Sequence, residues 1–183
     1  MRLSGLYASG DSNPNDNVET GFDAIVENPQ FAGADTSYYI RQSIPFAGGG
    51  RAVGLSGRNG VLNSLRSSKD EGQSNFNNPG TVLAGAGVDF DLTPNLRLSS
   101  NVNHLWFAQT AVVEALRQQG AVSDDLGWDY SISTIWRPRL TQNIVFRASV
   151  AVFDPGTGFG QLFTDSNRDN RYYSALLNAV LSF

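Results

Sequence analysis

The sequence predicts an all-β fold in which long antiparallel strands follow one another up and down a single sheet. Three observations predict it. Apolar residues alternate with polar or small residues over long stretches, short and long connections alternate along the chain, and aromatic residues fall at both ends of the apolar face. Six stretches of the 183-residue chain carry this alternation.

Each of these stretches has one apolar face and one polar face. Over residues 81–92 every even position is apolar, whereas the odd positions include two glycines, Asp89 and Asp91. The alternation recurs over 95–107, 127–137, 143–153 and 172–183, and less clearly over 2–9. Stretches of ten residues or more are long for strands of soluble proteins and suit strands that cross a membrane at a tilt.

The connections between the stretches alternate in length. Residues 93–95 and 137–141 are short links with a proline, whereas 10–80, 108–125 and 154–171 are long. In an antiparallel sheet this order places the short turns at one rim and the long loops at the other, as in bacterial outer-membrane barrels. Within the second long link, residues 111–119 have a helical pattern that Gly120 is expected to end.

A three-residue turn over 93–95 fixes the register of the first hairpin. It pairs Phe90 with Leu98 on the apolar face and Asp91 with Arg97 on the polar face. The polar face is then expected to line an interior with charged residues, which are Asp89, Asp91, Arg97, Asp129, Arg137 and Arg147. The small serines and glycines between them favour an open lumen over one filled with side chains.

Aromatic residues mark the two margins of the apolar face. Trp106 and Trp128 fall at the long-loop ends of their strands, and Phe90, Trp136 and Phe183 fall at the short-turn ends. Such positions are typical of the girdles that sit at the membrane–water interfaces. His104, the only histidine, lies beside Trp106 on this face, and we expect it to be interfacial rather than catalytic or metal-binding.

Composition argues against several classes of function. A net charge of -4 is unfavourable for binding nucleic acid, and the absence of cysteine excludes disulfides, thiolate metal sites and Cys-x-x-Cys-His haem attachment. The chain has no Gly-x-Ser-x-Gly motif. We therefore expect no enzyme, no cofactor and no metal site.

Two acidic segments have oxygen-bearing side chains at alternate positions, as the start of a calcium loop does. These segments, 11–15 and 165–169, have neither the glycine nor the glutamate that such loops need at later positions. Turns stabilised by Asn and Asp side chains are the favoured interpretation.

The end of the chain has an apolar residue at every second position from Tyr173 to the terminal Phe183. It resembles the C-terminal signal of Gram-negative outer-membrane barrels, and the layout of 81–183 resembles the C-terminal part of a porin-type barrel, in a group that includes alginate-export-type channels. The resemblance implies a bacterial outer-membrane location, contact with the lipid bilayer and recognition of the last strand by the barrel-insertion machinery.

The domain organisation predicted is one antiparallel transmembrane β-barrel over residues 1–183, or the C-terminal six to eight strands of a larger one. Residues 10–80 would be a long extracellular or lumen-facing loop. Because about eight strands are the minimum for a single-chain barrel, six leave unpaired edges. Residues 37–44 and 54–65 could form a further pair of strands or of short helices. As strands they would complete the barrel; otherwise upstream strands of the same natural protein, or strands of another chain, would pair with the edges. The absence of a signal-peptide pattern at residues 1–7 favours completion by strands from outside these 183 residues.

These expectations lead to one main function and two alternatives. The main one is a porin-like channel for passive passage of small hydrophilic solutes. A non-conducting outer-membrane barrel that anchors or sheathes a partner, for example an electron-transfer protein, remains open. So does a soluble envelope β-protein, in which the apolar face would be buried inward.

Overall fold

The structure is a computed structural model that describes residues 1–18, 20–22, 32–42, 44–47, 53–56, 78–138, 143–162 and 171–182. Its elements, in chain order, are β1 Arg2–Ala8, α1 Tyr38–Arg41, β2 Ile44–Ala47, β3 Val53–Ser56, β4 Thr81–Thr93, β5 Leu96–Trp106, α2 Ala111–Arg117, β6 Asp125–Trp136, β7 Ile144–Pro155, α3 Thr157–Leu162 and β8 Tyr172–Leu181.

Six strands form one antiparallel sheet in the order β1-β4-β5-β6-β7-β8. All six predicted strands are present, and their bounds differ from the prediction by two residues at most. Within the described residues β1 pairs only with β4 and β8 only with β7, so this up-and-down sheet is not closed into a barrel. Because the sheet has six strands in antiparallel order, the two edge strands, β1 and β8, run in opposite directions.

The register aligns the apolar positions across the whole sheet. One row runs through Leu3, Ala86, Val102, Tyr130, Val152 and Tyr173. The predicted register of the β4–β5 hairpin is confirmed, because Phe90 pairs with Leu98 and Asp91 with Arg97. In the second pair, Nε of Arg97 lies 2.6 Å from Oδ1 of Asp91.

The hypothesis that residues 37–44 and 54–65 add two strands to the barrel wall is wrong for the part described. Strands β2 and β3 pair with each other in a separate two-stranded sheet. The segment before them is helical, because the Ser37 hydroxyl accepts a hydrogen bond from the Ile40 N–H and so caps α1.

The hydrophobic core lies on the polar face of the sheet, at the end where the long loops emerge. There Leu83, Leu105 and Phe153 project from the strands and are covered by residues of all three helices, among them Tyr39, Val112, Val113, Phe159 and Leu162. The opposite, apolar face carries no such cover from the described chain. Phe90, Ile132 and Leu177 on that face are 55%, 47% and 76% exposed.

The predicted helix in the second long link is present as α2, but it ends earlier than expected. Gln118 takes the left-handed conformation at φ 52 and closes the helix, two residues before Gly120. Glycine usually takes this conformation at a helix end, but the Gln118 N–H still donates to the Ala115 carbonyl and caps the helix.

No helix in the described part of the chain is long and apolar enough to cross a membrane.

Candidate functional site

The candidate site is the polar face of the sheet together with the stretch of chain that lies on it, residues 32–42, which we call the docked segment. Its strongest link to the sheet is Asp129 of β6. Oδ2 of Asp129 accepts hydrogen bonds from the Ser37 hydroxyl at 2.9 Å and from the Tyr39 N–H at 2.6 Å. The Asp129 side chain is fully buried as a result.

Two further sheet residues bind the docked segment. The hydroxyl oxygens of Thr36 and Ser131 lie 3.0 Å apart, and the amide of Asn103 donates to the Ala32 carbonyl at 2.8 Å. Since buried polar groups cost free energy when they are left unpaired, these contacts specify where the segment sits. They place it over strands β5 and β6.

Glycine is required where the docked segment approaches the sheet. Gly33 has φ 72, and a Cβ there would lie 2.5 Å from the side-chain nitrogen of Asn101. A larger residue at this position would combine backbone strain with a clash against the side chain of Asn101 on β5.

Two buried oxygens of this site have no hydrogen-bond partner among the described residues. They are Oδ1 of Asn103 and Oδ1 of Asp129. The residues are direct partners across β5 and β6, so the sheet presents acceptor atoms beneath the docked segment. Groups of three or more metal-binding side chains are absent from the described residues.

A cavity of about 280 Å³ opens beside this contact, between the docked segment and strands β6, β7 and β8. It is lined by Ala34, Asp35, Thr36, Arg41, Ser133, Thr134, Ile135, Arg147, Ala148, Ser149, Leu176 and Asn178. Two arginines, Arg41 and Arg147, therefore line one small polar space.

The residues predicted to line a lumen separate into different environments. Asp129 lies under the docked segment, and Arg147 lines the cavity. Asp89 is in a salt bridge with Arg2 at 3.1 Å. Asp91 and Arg97, both exposed, form a bidentate pair with each other.

Arg137, the last of the predicted lumen residues, follows β6 directly. Its backbone N–H donates to the Asn95 carbonyl at 2.8 Å, which ties the end of β6 to the β4–β5 turn. Nε of Arg137 is buried without a hydrogen-bond partner in the part of the chain that the structure describes.

The predicted interfacial aromatic residues form two groups on the apolar face. At the long-loop end, the ring of His104 lies 4.0 Å from that of Trp106 and 4.3 Å from that of Trp128, measured between centroids. At the short-turn end, Trp136 stacks on Phe146 at 5.4 Å. Trp136 lies eight positions after Trp128 in β6, which is about 26 Å along the strand.

Phe90 is exposed at the short-turn end of the same face, near the level of Trp136. Phe183 lies outside the described residues.

Among the described residues, one charged group, the carboxylate of Asp125, lies next to His104. Its Nε2 lies 3.1 Å from Oδ1 of Asp125, although their alignment does not make a hydrogen bond. The other oxygen of Asp125 accepts from the Thr157 N–H at the start of α3. The side chain of His104 is thus held between two tryptophans and a loop carboxylate.

The acidic segment that begins at Asp11 forms turns. Asp11 accepts a hydrogen bond from the Asn13 N–H, and Asp16 accepts one from the Val18 N–H at 2.8 Å. These are side-chain-stabilised turns of the kind predicted for this segment. The second acidic segment, 165–169, lies outside the described residues.

Outside the strands, the Glu114 side chain of α2 joins the two ends of the segment from Thr110 to Val122. One of its carboxylate oxygens accepts from the Val122 N–H at 3.0 Å and from the Thr110 hydroxyl at 2.8 Å. These two hydrogen bonds, the first above all, hold the pKa of Glu114 below its usual range.

The sequence patterns did not reveal the residues that hold the docked segment on the sheet or line the cavity. Ser37 and Arg41 lie in a long link with no clear period, and Asn103 was assigned only to a face. The one usable signal was Ser37 itself, because serine before a short apolar stretch is a common helix start.

In comparisons with known proteins, no protein-family model, curated protein or solved structure matches this chain.

Proposed function

We propose that this chain contributes six strands to the wall of an outer-membrane β-barrel through which small hydrophilic solutes diffuse, with the docked segment narrowing the path. The observation that carries the proposal is the contrast between the two faces of one sheet. The apolar face is exposed along all six strands, whereas the polar face carries the docked segment and the cavity.

An apolar face of this extent needs a cover. Burying apolar surface is favourable by about 25 cal/mol per Å², and soluble monomers rarely expose large contiguous apolar patches. The exposed residues on this face include Leu3, Tyr7, Val102, Trp128, Tyr130, Val150, Tyr173 and Leu181. Hydrocarbon chains of lipid cover such a face without matching its shape.

The spacing of the aromatic groups supports lipid as that cover. The separation of about 26 Å along β6, reduced somewhat by strand tilt, is close to the apolar band of about 25 Å in outer-membrane barrels. Between the two groups, the facing residues of β6 are Tyr130, Ile132 and Thr134, none of which is charged. This is the order of residues expected from one interface to the other.

Tryptophan fluorescence tests the orientation, because all three tryptophans lie on the apolar face near its ends. The refolded chain would be placed in vesicles of lipids brominated either near the headgroup or near the middle of the acyl chain. We expect strong quenching by both lipids, with the shallow bromines more effective. Quenching by neither, with intact folding, would contradict the membrane proposal.

Planar-bilayer recording tests the path itself. We expect discrete conductance steps after insertion, and larger steps after deletion of residues 32–42, because the docked segment occupies part of the polar face. The comparison is deletion of residues 111–117, which removes α2 and its core residues Val112 and Val113 but leaves the docked segment in place. Insertion demonstrated by quenching together with zero conductance from both forms would contradict a channel.

That last outcome would favour the second candidate, a non-conducting barrel that anchors or sheathes a partner. Its supporting observation is the hydrophobic core, which fills the polar face at the long-loop end with fully buried side chains such as Phe153, Phe159 and Leu162. A barrel whose interior is filled by side chains leaves no open path for solutes.

A further inference from the structure

We propose that the cavity beside the docked segment is a binding site for small organic carboxylates, held by Arg41 and Arg147. The binding itself stands on the cavity alone. Its consequence, a preference of the channel for anions, rests on the proposed function.

The cavity has a floor and a roof that each contribute one arginine. The floor is two neighbouring rows of the sheet, in which Ile135, Arg147 and Asn178 are paired in one row and Ser133, Ser149 and Leu176 in the next. The roof is the docked segment, from which Arg41 and residues 34–36 line the space. A ligand between them would meet a guanidinium from either side.

The charges of these two arginines are not neutralised by the described chain. Arg41 donates one hydrogen bond to the backbone carbonyl of Asp35, and neither Arg41 nor Arg147 has a salt-bridge partner among the described residues. By contrast, Arg2 and Arg97 on the same face are paired with Asp89 and Asp91. Arg41 and Arg147 therefore bring two positive charges to the cavity that no described carboxylate pairs with.

The chemistry of the lining selects a carboxylate. A guanidinium presents planar, paired N–H donors that match the two oxygens of a carboxylate. The hydroxyls of Ser133 and Ser149 and the amide of Asn178 supply further donors on the floor. A volume of about 280 Å³ limits the ligand to a small molecule, since drug-sized ligands occupy pockets of about 300–1,000 Å³.

One carboxylate, that of Asp35, also lines the cavity and is exposed. It opposes an anion, so its removal should strengthen binding. Asp35→Asn is therefore a variant with an effect of opposite sign to that of the arginine variants.

Titration calorimetry of the refolded full chain tests binding, with succinate as the probe and its diamide as the neutral control. We expect millimolar binding of succinate and none of the diamide. Arg41→Gln and Arg147→Gln should each weaken binding at least tenfold, Asp35→Asn should tighten it, and Arg97→Gln should leave it unchanged. Arg147→Lys, which keeps the charge but loses the paired donors, should bind with intermediate affinity.

Three results would overturn the carboxylate site. They are equal binding of succinate and its diamide, equal effects of Arg97→Gln and Arg147→Gln, and binding of inorganic phosphate without binding of succinate. Circular dichroism of each variant would establish that the sheet has folded.

Reversal potentials in a potassium chloride gradient test the consequence for transport. We expect chloride preference in the natural chain, a shift toward potassium in the Arg41→Gln, Arg147→Gln double variant and no shift in Arg97→Gln. Conductance with an unchanged reversal potential in the double variant would contradict the anion preference. A complete lack of conductance would contradict the proposed function and not the binding site. The calorimetric titration would then be the test of the binding site.

Discussion

Asp129 illustrates how much of the docking depends on one side chain. A single carboxylate oxygen accepts hydrogen bonds from the hydroxyl that caps α1 and from the backbone N–H of Tyr39. Both donors belong to the docked segment, so their loss would affect the segment more than the sheet. The same residue on an open polar face would be solvated and would hold nothing.

We expect Asp129→Ala to lower the free energy of unfolding by about 1–3 kcal/mol, because it leaves two buried donors unpaired. Limited proteolysis should then cut within residues 32–42 while the sheet stays intact. Asp129→Asn, which keeps an acceptor oxygen, should recover part of the loss.

Asp89→Ala is the matched control, since Asp89 is an exposed partner of Arg2 and such pairs contribute about 0–1 kcal/mol. Equal losses in Asp89→Ala and Asp129→Ala would mean that the docking hydrogen bonds carry no particular weight.

Ile132 tests which face meets lipid. It lies midway between Trp128 and Trp136 on the apolar face and is 47% exposed. In a membrane, Ile132→Arg should cost about 2–4 kcal/mol and impair insertion, whereas in water an exposed arginine would cost little. Folding yield into vesicles at a series of urea concentrations measures the difference.

The control for Ile132→Arg is Ser99→Arg on the polar face. Ser131, which the sequence makes an equally good control, is unsuitable because it is buried and its hydroxyl meets Thr36. Similar damage from Ile132→Arg and Ser99→Arg would show that the assignment of the two faces is wrong.

At the scale of elements, polar contacts help to position helices that also pack in the hydrophobic core. Glu114 joins the start of α2 to the chain at Val122 through one carboxylate oxygen. Because its pKa is lowered in the folded state, this contact stabilises the loop above the usual glutamate value of 4.5 and is lost as the pH falls through the lowered pKa.

We therefore expect the Val122 amide resonance to move with pH in step with the protonation of Glu114, at a midpoint below the usual glutamate range. Nuclear magnetic resonance of the labelled chain in detergent measures this midpoint. In Glu114→Gln the resonance should stay constant over the same range. A midpoint at or above the usual value would contradict the role given to these hydrogen bonds.

At the scale of the whole molecule, the open sheet is the main constraint. Strands β1 and β8 each have one side without a strand partner among the described residues. In hydrocarbon each unpaired backbone group costs several kcal/mol, so both edges must be paired in a membrane. Since β1 and β8 run in opposite directions, added strands can continue the antiparallel order from either edge.

Engineered disulfides test whether β1 and β8 meet, because the chain has no cysteine of its own. We expect no intramolecular disulfide in the Ser4→Cys, Ser174→Cys double variant. The control is Ala151→Cys with Ser174→Cys, which are paired across β7 and β8 and should form one readily. A disulfide between positions 4 and 174 on one chain would mean a closed six-stranded wall.

The sequence by itself determined the six strands, their two faces and the register of the β4–β5 hairpin. It could do so because side-chain direction alternates with every residue of a strand, so a local pattern carries the information. For the same reason His104 could be assigned to a position beside Trp106.

Only the tertiary structure decided what lies on the polar face. The long link from Ala8 to Thr81 has no regular period, and its docking depends on contacts between residues about ninety positions apart, such as Ser37 with Asp129. That contact also decided that Asp129 is buried, that Ser131 is covered, and that Arg41 and Arg147 line one cavity. A hydrogen bond between distant residues leaves no periodic trace in the sequence, because it depends on where the whole chain folds.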